Sequence, residues 1–208
     1  MELLKMILVI TLISFFGTQV RAQDANFTKQ SEAFKLSYQK EKAKDYTFAV
    51  QTLLKIYDEN SYEINLRLGW LYYLNNELEN SIKFYNKAIE LKPFAIEPKF
   101  GLTYPVYATA NTSHLIKIYN QILSVAPNNS IALYKLGSVY FYQKQYEKAE
   151  KYFTKVVDLF PFNYDSLIML AHTNFHLKKI REATVLYHKV LLYNPDDKEA
   201  LAALKLLK

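Results

Sequence analysis

His172 and His176 stand four residues apart, a spacing that puts two imidazoles on one face of a helix and can hold a divalent metal. A zinc-protease helix also needs Glu directly after its first His, and Thr173 stands there. No third ligand accompanies the pair, and His114 and His188 are isolated. The chain has no cysteine, which excludes disulfides, thiol nucleophiles and thiolate metal sites. Its four glycines, Gly17, Gly69, Gly101 and Gly137, lie too far apart to form a phosphate-cradling loop, and no G-x-S-x-G occurs. Asp196-Asp197 precede the last helical stretch, where a capping role is simpler than acid–base chemistry. The expectation is therefore a protein with no catalytic residue, no metal and no cofactor, and not an enzyme. Asn26-Phe27-Thr28, Asn111-Thr112-Ser113 and Asn128-Asn129-Ser130 match the glycosylation acceptor pattern, which matters only in a host that modifies such sites.

The more abundant chemistry is aromatic. Half of the 208 residues are hydrophobic and 15% are aromatic, with 18 Tyr and 13 Phe, so the chain is too apolar for disorder. Only 4 Gly and 6 Pro are present, too few turn formers for a β-sandwich, and helices joined by short loops fit better. The formal charge is +6, and the lysines are scattered with no long basic run. A solvated surface explains them more simply than a nucleic-acid or anionic-membrane patch.

Met6–Phe16 reads MILVITLISFF, apolar apart from Thr11 and Ser14, and follows Lys5. Gly17 ends the run, and Val20-Arg21-Ala22 offers a cleavage site before Gln23, so residues 1–22 read as a secretory signal peptide. A helix of 11 residues rises only about 16 Å against a hydrocarbon core of about 30 Å, so any membrane contact is expected only through an uncleaved N-terminal segment. Residues 23–29 form a short linker. The expected location is outside the cytoplasm, periplasmic or secreted.

The rest repeats. Stepping 34 residues from the segment at Ser130 to the one at Tyr164 aligns Leu133 with Leu167, Leu136 with Leu170, and Gly137 with Ala171. The same step aligns Ala149 with Ala183, Phe153 with Tyr187, Val156 with Val190, and Pro161 with Pro195. One step back gives Leu102, Val106, Leu115, Tyr119, Ile122 and Pro127, and another gives Leu68, Gly69, Tyr72, Ser81, Tyr85, Ala88 and Pro93. A weaker copy has Leu36, Ser37, Ala49, Leu53 and Ile56. The units run 30–61, 62–95, 96–129, 130–163 and 164–197, and residues 198–208 (KEALAALKLLK) form a capping helix with a leucine-rich outer side.

A large residue, Leu-Gly, Tyr, Ala, an aromatic, Ala and Pro at these offsets resembles the tetratricopeptide-repeat family, with units 62–95 and 130–163 the best matches. The resemblance covers about 170 residues and implies an all-α fold: a right-handed α-solenoid of stacked antiparallel hairpins over residues 30–208, about five repeats plus the cap. Small residues such as Gly69 and Gly137 should let two helices approach, and the recurring prolines should end each second helix. Unit 96–129 departs from the pattern, with Pro105 inside its first helix, Thr103 in place of the packing glycine and Leu115 in place of alanine. Either the repeat has drifted harmlessly, or a bend opens the stack there.

The resemblance further implies that positions 2, 5, 9, 12 and 13 of each unit point into a concave groove. Here those positions supply Phe34 and Tyr38; Trp70 and Tyr73; Tyr104 and Tyr107; Tyr134, Phe141 and Tyr142; and His172, Phe175 and His176. Tyr and Trp give large contact area with a polar tip, which suits a protein or peptide ligand. Aromatics at helical spacing also serve as core, so each position has both readings. Family members that grip chaperone C-termini clamp a carboxylate with Lys and Asn. Phe34, Tyr38, Leu66 and Trp70 occupy the corresponding positions, so that ligand is not supported. Lys35, Arg67 and Lys135 read as ordinary solvated charges. The expected function is an exported scaffold or adaptor that binds a peptide or partner protein, and no nucleic acid. The alternative is a structural subunit of an envelope or secretion assembly.

Overall fold

The computed structural model describes residues 27–207, all helices and connecting turns with no strand among them. The expected signal peptide and most of the linker lie outside these residues. No described helix is long and apolar enough to cross a membrane. The chain divides into two compact units, one ending at Lys92 and the other starting at Pro93.

The first unit holds α1 (residues 27–42), α2 (Tyr46–Leu54), α3 (Tyr62–Leu74) and α4 (Leu78–Leu91). Helix α3 packs on both α2 and α4. The core is Ala33, Ala49, Val50, Leu53, Ile64, Leu68, Leu71, Tyr72 and Phe84. The second unit holds α5 (Glu97–Ala108), α6 (Thr112–Val125), α7 (Ser130–Tyr142), α8 (Tyr146–Leu159), α9 (Tyr164–His176), α10 (Ile180–Tyr193) and α11 (Lys198–Leu206). Each helix from α5 to α11 packs on the next, and α7 also meets α9. Its main core gathers Phe153, Leu167, Leu170, Ala171, Leu186, Tyr187 and Val190.

Hairpin geometry follows from residues at three places. Between paired helices, Gly69 and Gly137 are as close as the repeat pattern expects. A β-carbon on Gly69 would lie 2.8 Å from Tyr85 Cγ, and one on Gly137 2.9 Å from Phe153 Cε1. At the end of each of these second helices, proline drives the residue directly before it out of helical geometry. Lys92, Ala126, Phe160 and Asn194 accordingly sit at φ −132°, −130°, −135° and −134°, just ahead of Pro93, Pro127, Pro161 and Pro195. At the end of each first helix the chain turns through a left-handed residue, and none of these is glycine: Lys44, Asn76, Ala110, Lys144 and Lys178, with φ of 54–61°. Paired hydrogen bonds close these turns; after α7, Lys144 N–H bonds to Phe141 O at 2.8 Å and Gln145 N–H to Tyr140 O at 2.9 Å.

Side chains cap six of the helix starts from α2 onward, and α4, α5, α8 and α10 begin without one. Ser61, Asn129, Asn163 and Asp197 begin α3, α7, α9 and α11, each accepting a backbone N–H three residues on. The expected cap at Asp197 is present, and Asn111 caps α6 in the same way. Pro105 lies buried inside α5, which runs unbroken through it. Thr103, in the glycine position, donates its hydroxyl to Phe100 O at 2.7 Å and keeps that polar atom satisfied in the interior.

Candidate functional site

In the first unit the aromatic residues surround a buried charge. Arg67 is 7% exposed, ion-pairs with Glu41 at 2.5 Å and donates from Nε to Ser37 Oγ at 3.2 Å. Its guanidinium lies 3.8 Å from the ring centre of Tyr38, a residue about half exposed to solvent. Glu41 also accepts the Trp70 indole N–H at 2.8 Å, and Trp70 meets Tyr73 with ring centres 5.6 Å apart. The reading of Arg67 as a solvated charge is therefore corrected. It joins α3 to α1, because a buried guanidinium needs a carboxylate and further acceptors to offset lost hydration. Lys35 and Lys135 are exposed. Nothing in the linear spacing of Ser37, Glu41 and Arg67 marks this network, which forms only when α1 and α3 lie side by side. Phe34 is half-buried against the core.

In the second unit a ring cluster joins α7, α8 and α9. Tyr146 stacks on His176 with centres 4.5 Å apart and planes within 3°. Phe141 meets Tyr142, Tyr146 and His176 edge-on at 5.5–5.6 Å, and Phe175 meets His176 at 5.8 Å. Desolvation, helped by His172, Lys178 and Lys144, holds the His176 imidazole below its ordinary pKa. Tyr146, from a second helix, falls outside the positions that the repeat pattern singles out. Tyr142 is 78% exposed and Tyr107, on α5, 76%; Tyr104 is half-exposed. Tyr134 turns inward and tilts against Phe153 at 5.7 Å.

His172 does structural work. Its Nδ1 shares a hydrogen bond with Tyr187 Oη at 2.8 Å and its Nε2 with Glu199 at 3.2 Å, so it ties α9 to α10 and α11. His172 and His176 thus engage different neighbours. Burial, then the Glu199 charge, pushes the Tyr187 phenol up to about 12. At the turn before α11, Tyr164 donates to the Asp197 carboxylate, and this bond raises the Tyr164 phenol to about 12. Burial disfavours the Asp197 anion. Bonds from the Ala200 N–H, Tyr164, the Glu199 N–H and Asn194 outweigh it and leave the carboxyl below its ordinary pKa.

No group of three or more metal-ligating side chains occurs among the described residues. What the two faces offer is mainly aromatic area, and in the first unit the buried Arg67 charge beside it is paired with Glu41.

Residues 130–163 and 62–94 each match a tetratricopeptide-repeat family model, so the chain carries such repeats at these two stretches. No curated protein matches the chain. Among solved structures, a tetratricopeptide-repeat protein from Parabacteroides merdae ATCC 43184 is similar at 18% identity and a TM-score of 0.73, covering 86% of this chain and 72% of that one. MamA from Desulfovibrio magneticus RS-1 is similar at 17% identity and 0.68, covering 82% and 97%. YrrB, described as a protein of this repeat type with an unusual peptide-binding site, is similar at 14% and 0.66, covering 83% and 90%. At these identities the likeness shows the fold: an all-helical α-solenoid of the tetratricopeptide type.

Proposed function

We propose that the protein is a non-catalytic scaffold that captures a peptide or partner protein through the aromatic faces of its first helices, and that it works after export directed by residues 1–22. The observation that carries this is the exposure of Tyr107 and Tyr142, each more than three-quarters open on helices whose other faces are closed in the core. Folding gains nothing from leaving such rings in water, whereas a ligand that covers them gains apolar contact and hydroxyl hydrogen bonds. The pairing of Arg67 with Glu41 leaves Tyr38, Trp70 and Tyr73 as a neutral contact surface in the first unit. Such a surface suits apolar or aromatic side chains better than a terminal carboxylate. The peptide-binding description of YrrB supports the same reading by analogy of fold. Export rests on the apolar run Met6–Phe16 after Lys5.

The test is selection of peptides from a displayed library against the full mature protein, followed by affinity measurement on variants. Tyr107→Ala with Tyr142→Ala should weaken selected peptides at least about tenfold, the loss expected for two interfacial anchors, while the helical circular-dichroism signal and melting curve stay unchanged. Equal affinity in that variant removes the aromatic faces as the site. For export, N-terminal sequencing of the secreted protein should begin near Gln23; a sequence beginning at Met1 refutes cleavage.

A further inference from the structure

Helix α10 covers α9. Leu167, Leu170 and Ala171 of α9 are 0%, 5% and 0% exposed, in one cluster with Ala183, Leu186, Tyr187 and Val190 of α10. The 34-residue step carries these three α9 positions to Leu201, Leu204 and Lys205 of α11. There the cover is missing among the described residues: Leu201 is 40% exposed and Lys205 is open to solvent. With Leu191 and His188 of α10 and Leu207, these side chains line a groove of about 320 Å³ that contains no carboxylate. At the equivalent positions of α9 a second helix, α10, lies over the surface.

Lys205 decides which helix fits. In the earlier hairpins this position is small and faces an aromatic ring: Gly69 against Tyr85 and Gly137 against Phe153. In the fourth position of the series Ala171 is buried with Tyr187. A helix that placed a ring opposite Lys205 would meet its long stem and bury its ammonium without a counter-ion, which is costly. A carboxylate at that place would pair with it instead. The second helices of this chain carry Tyr85, Tyr119, Phe153 and Tyr187 there, so another copy lending one of them is the poorer occupant.

The geometry points to a second binding site, separate from the aromatic faces: the α10–α11 groove docks an amphipathic helix of a partner protein, with an apolar stripe on the leucines and an Asp or Glu against Lys205. The probes are two synthetic helices of 14 residues, the length of α10, sharing one leucine stripe. One carries glutamates and the other lysines at the positions that face Lys205. On the full mature protein, fluorescence anisotropy should show the acidic helix binding at least about tenfold tighter than the basic one, as expected when a charge pair replaces a like-charge clash. Lys205→Glu, a surface change, should reverse that order. Leu201→Asp should abolish binding of both while leaving peptides selected on the tyrosine faces bound. Equal affinity for the two probes, no binding of either, or an unchanged order in Lys205→Glu overturns the proposal. So does a dimer of the protein alone, seen by sedimentation, that Leu201→Asp dissolves, since the occupant would then be a second copy.

Discussion

Replacing Gly69 by alanine adds one methyl group between α3 and α4, where the two helices are closest. The new β-carbon would stand 2.8, 2.9 and 3.0 Å from Tyr85 Cγ, Cδ1 and Cδ2, against about 3.5–4.0 Å for relaxed carbon contacts. Cγ is the root of the ring, so turning the ring about its Cβ–Cγ bond cannot clear the clash, and the buried side chain must shift together with α4. Tyr85 is 2% exposed, and Ser81 ties α4 to the Gly69 carbonyl through a 2.7 Å bond, so there is little room for that shift. Overpacking of this kind costs about 1–3 kcal/mol. Alanine returns about 1 kcal/mol of helix propensity. Because the clash falls on rigid ring-root atoms, the upper part of the cost range applies, and the net loss is about 1–2 kcal/mol. Urea denaturation followed by circular dichroism measures it as a lower midpoint at constant slope. A Gly69→Ala, Tyr85→Leu double variant should lose less than the two single changes added together, because leucine presents no ring at the clash. If Gly69→Ala instead raises stability by about 1 kcal/mol, as propensity alone requires, the close-approach argument is refuted.

Three further outcomes are expected. Ala110→Gly and Lys144→Gly relieve left-handed backbone at φ 54° and 60° and should each stabilise by about 0.5–1 kcal/mol, read from the same denaturation curves; no gain would mean the turns carry no strain. Asp197→Ala removes the α11 cap and the acceptor for Tyr164, and should cost about 1–2 kcal/mol at neutral pH. The Asp197 carboxyl is depressed in the folded state, so its contribution is complete above the unfolded value of about 4 and fades as pH falls through the lower folded one. The gap between Asp197→Ala and the unmodified protein should therefore close on acidification, and a gap independent of pH contradicts the assignment. Pro105→Ala restores a helical N–H within α5 and should raise stability by about 1–3 kcal/mol; unchanged affinity for selected peptides alongside that gain would show that the proline is tolerated drift.

The repeat made the hairpins legible because its rules are local. Proline unwinds the residues before it, an Asx or Ser side chain caps the helix behind it, and a glycine faces the ring sixteen residues on, each at a fixed offset that survives in one sequence. The first-helix turns were hidden for the converse reason. Their left-handed residues are mostly lysine and alanine, types that carry no turn signal, and it is the hydrogen bonds from their own N–H and from the next N–H that hold them there. The aromatic positions were legible as a set but not individually. Tyr134 and Tyr142 sit eight residues apart on one helix, yet the first tilts against Phe153 and the second stands in water. A pattern that assigns both to one face cannot register the rotation of roughly 80° that eight residues of α-helix leave between them. The Arg67 network was least legible, since burial of a cation depends on Glu41 and Ser37 arriving from another helix, and no spacing rule links residues across that gap. The same reasoning gives Lys205 its significance. A lysine on an exposed helix says nothing in isolation, but the 34-residue register places it where the earlier hairpins carry Gly69, Thr103, Gly137 and Ala171, all shorter side chains. Its charge then becomes a statement about which helix can lie over it.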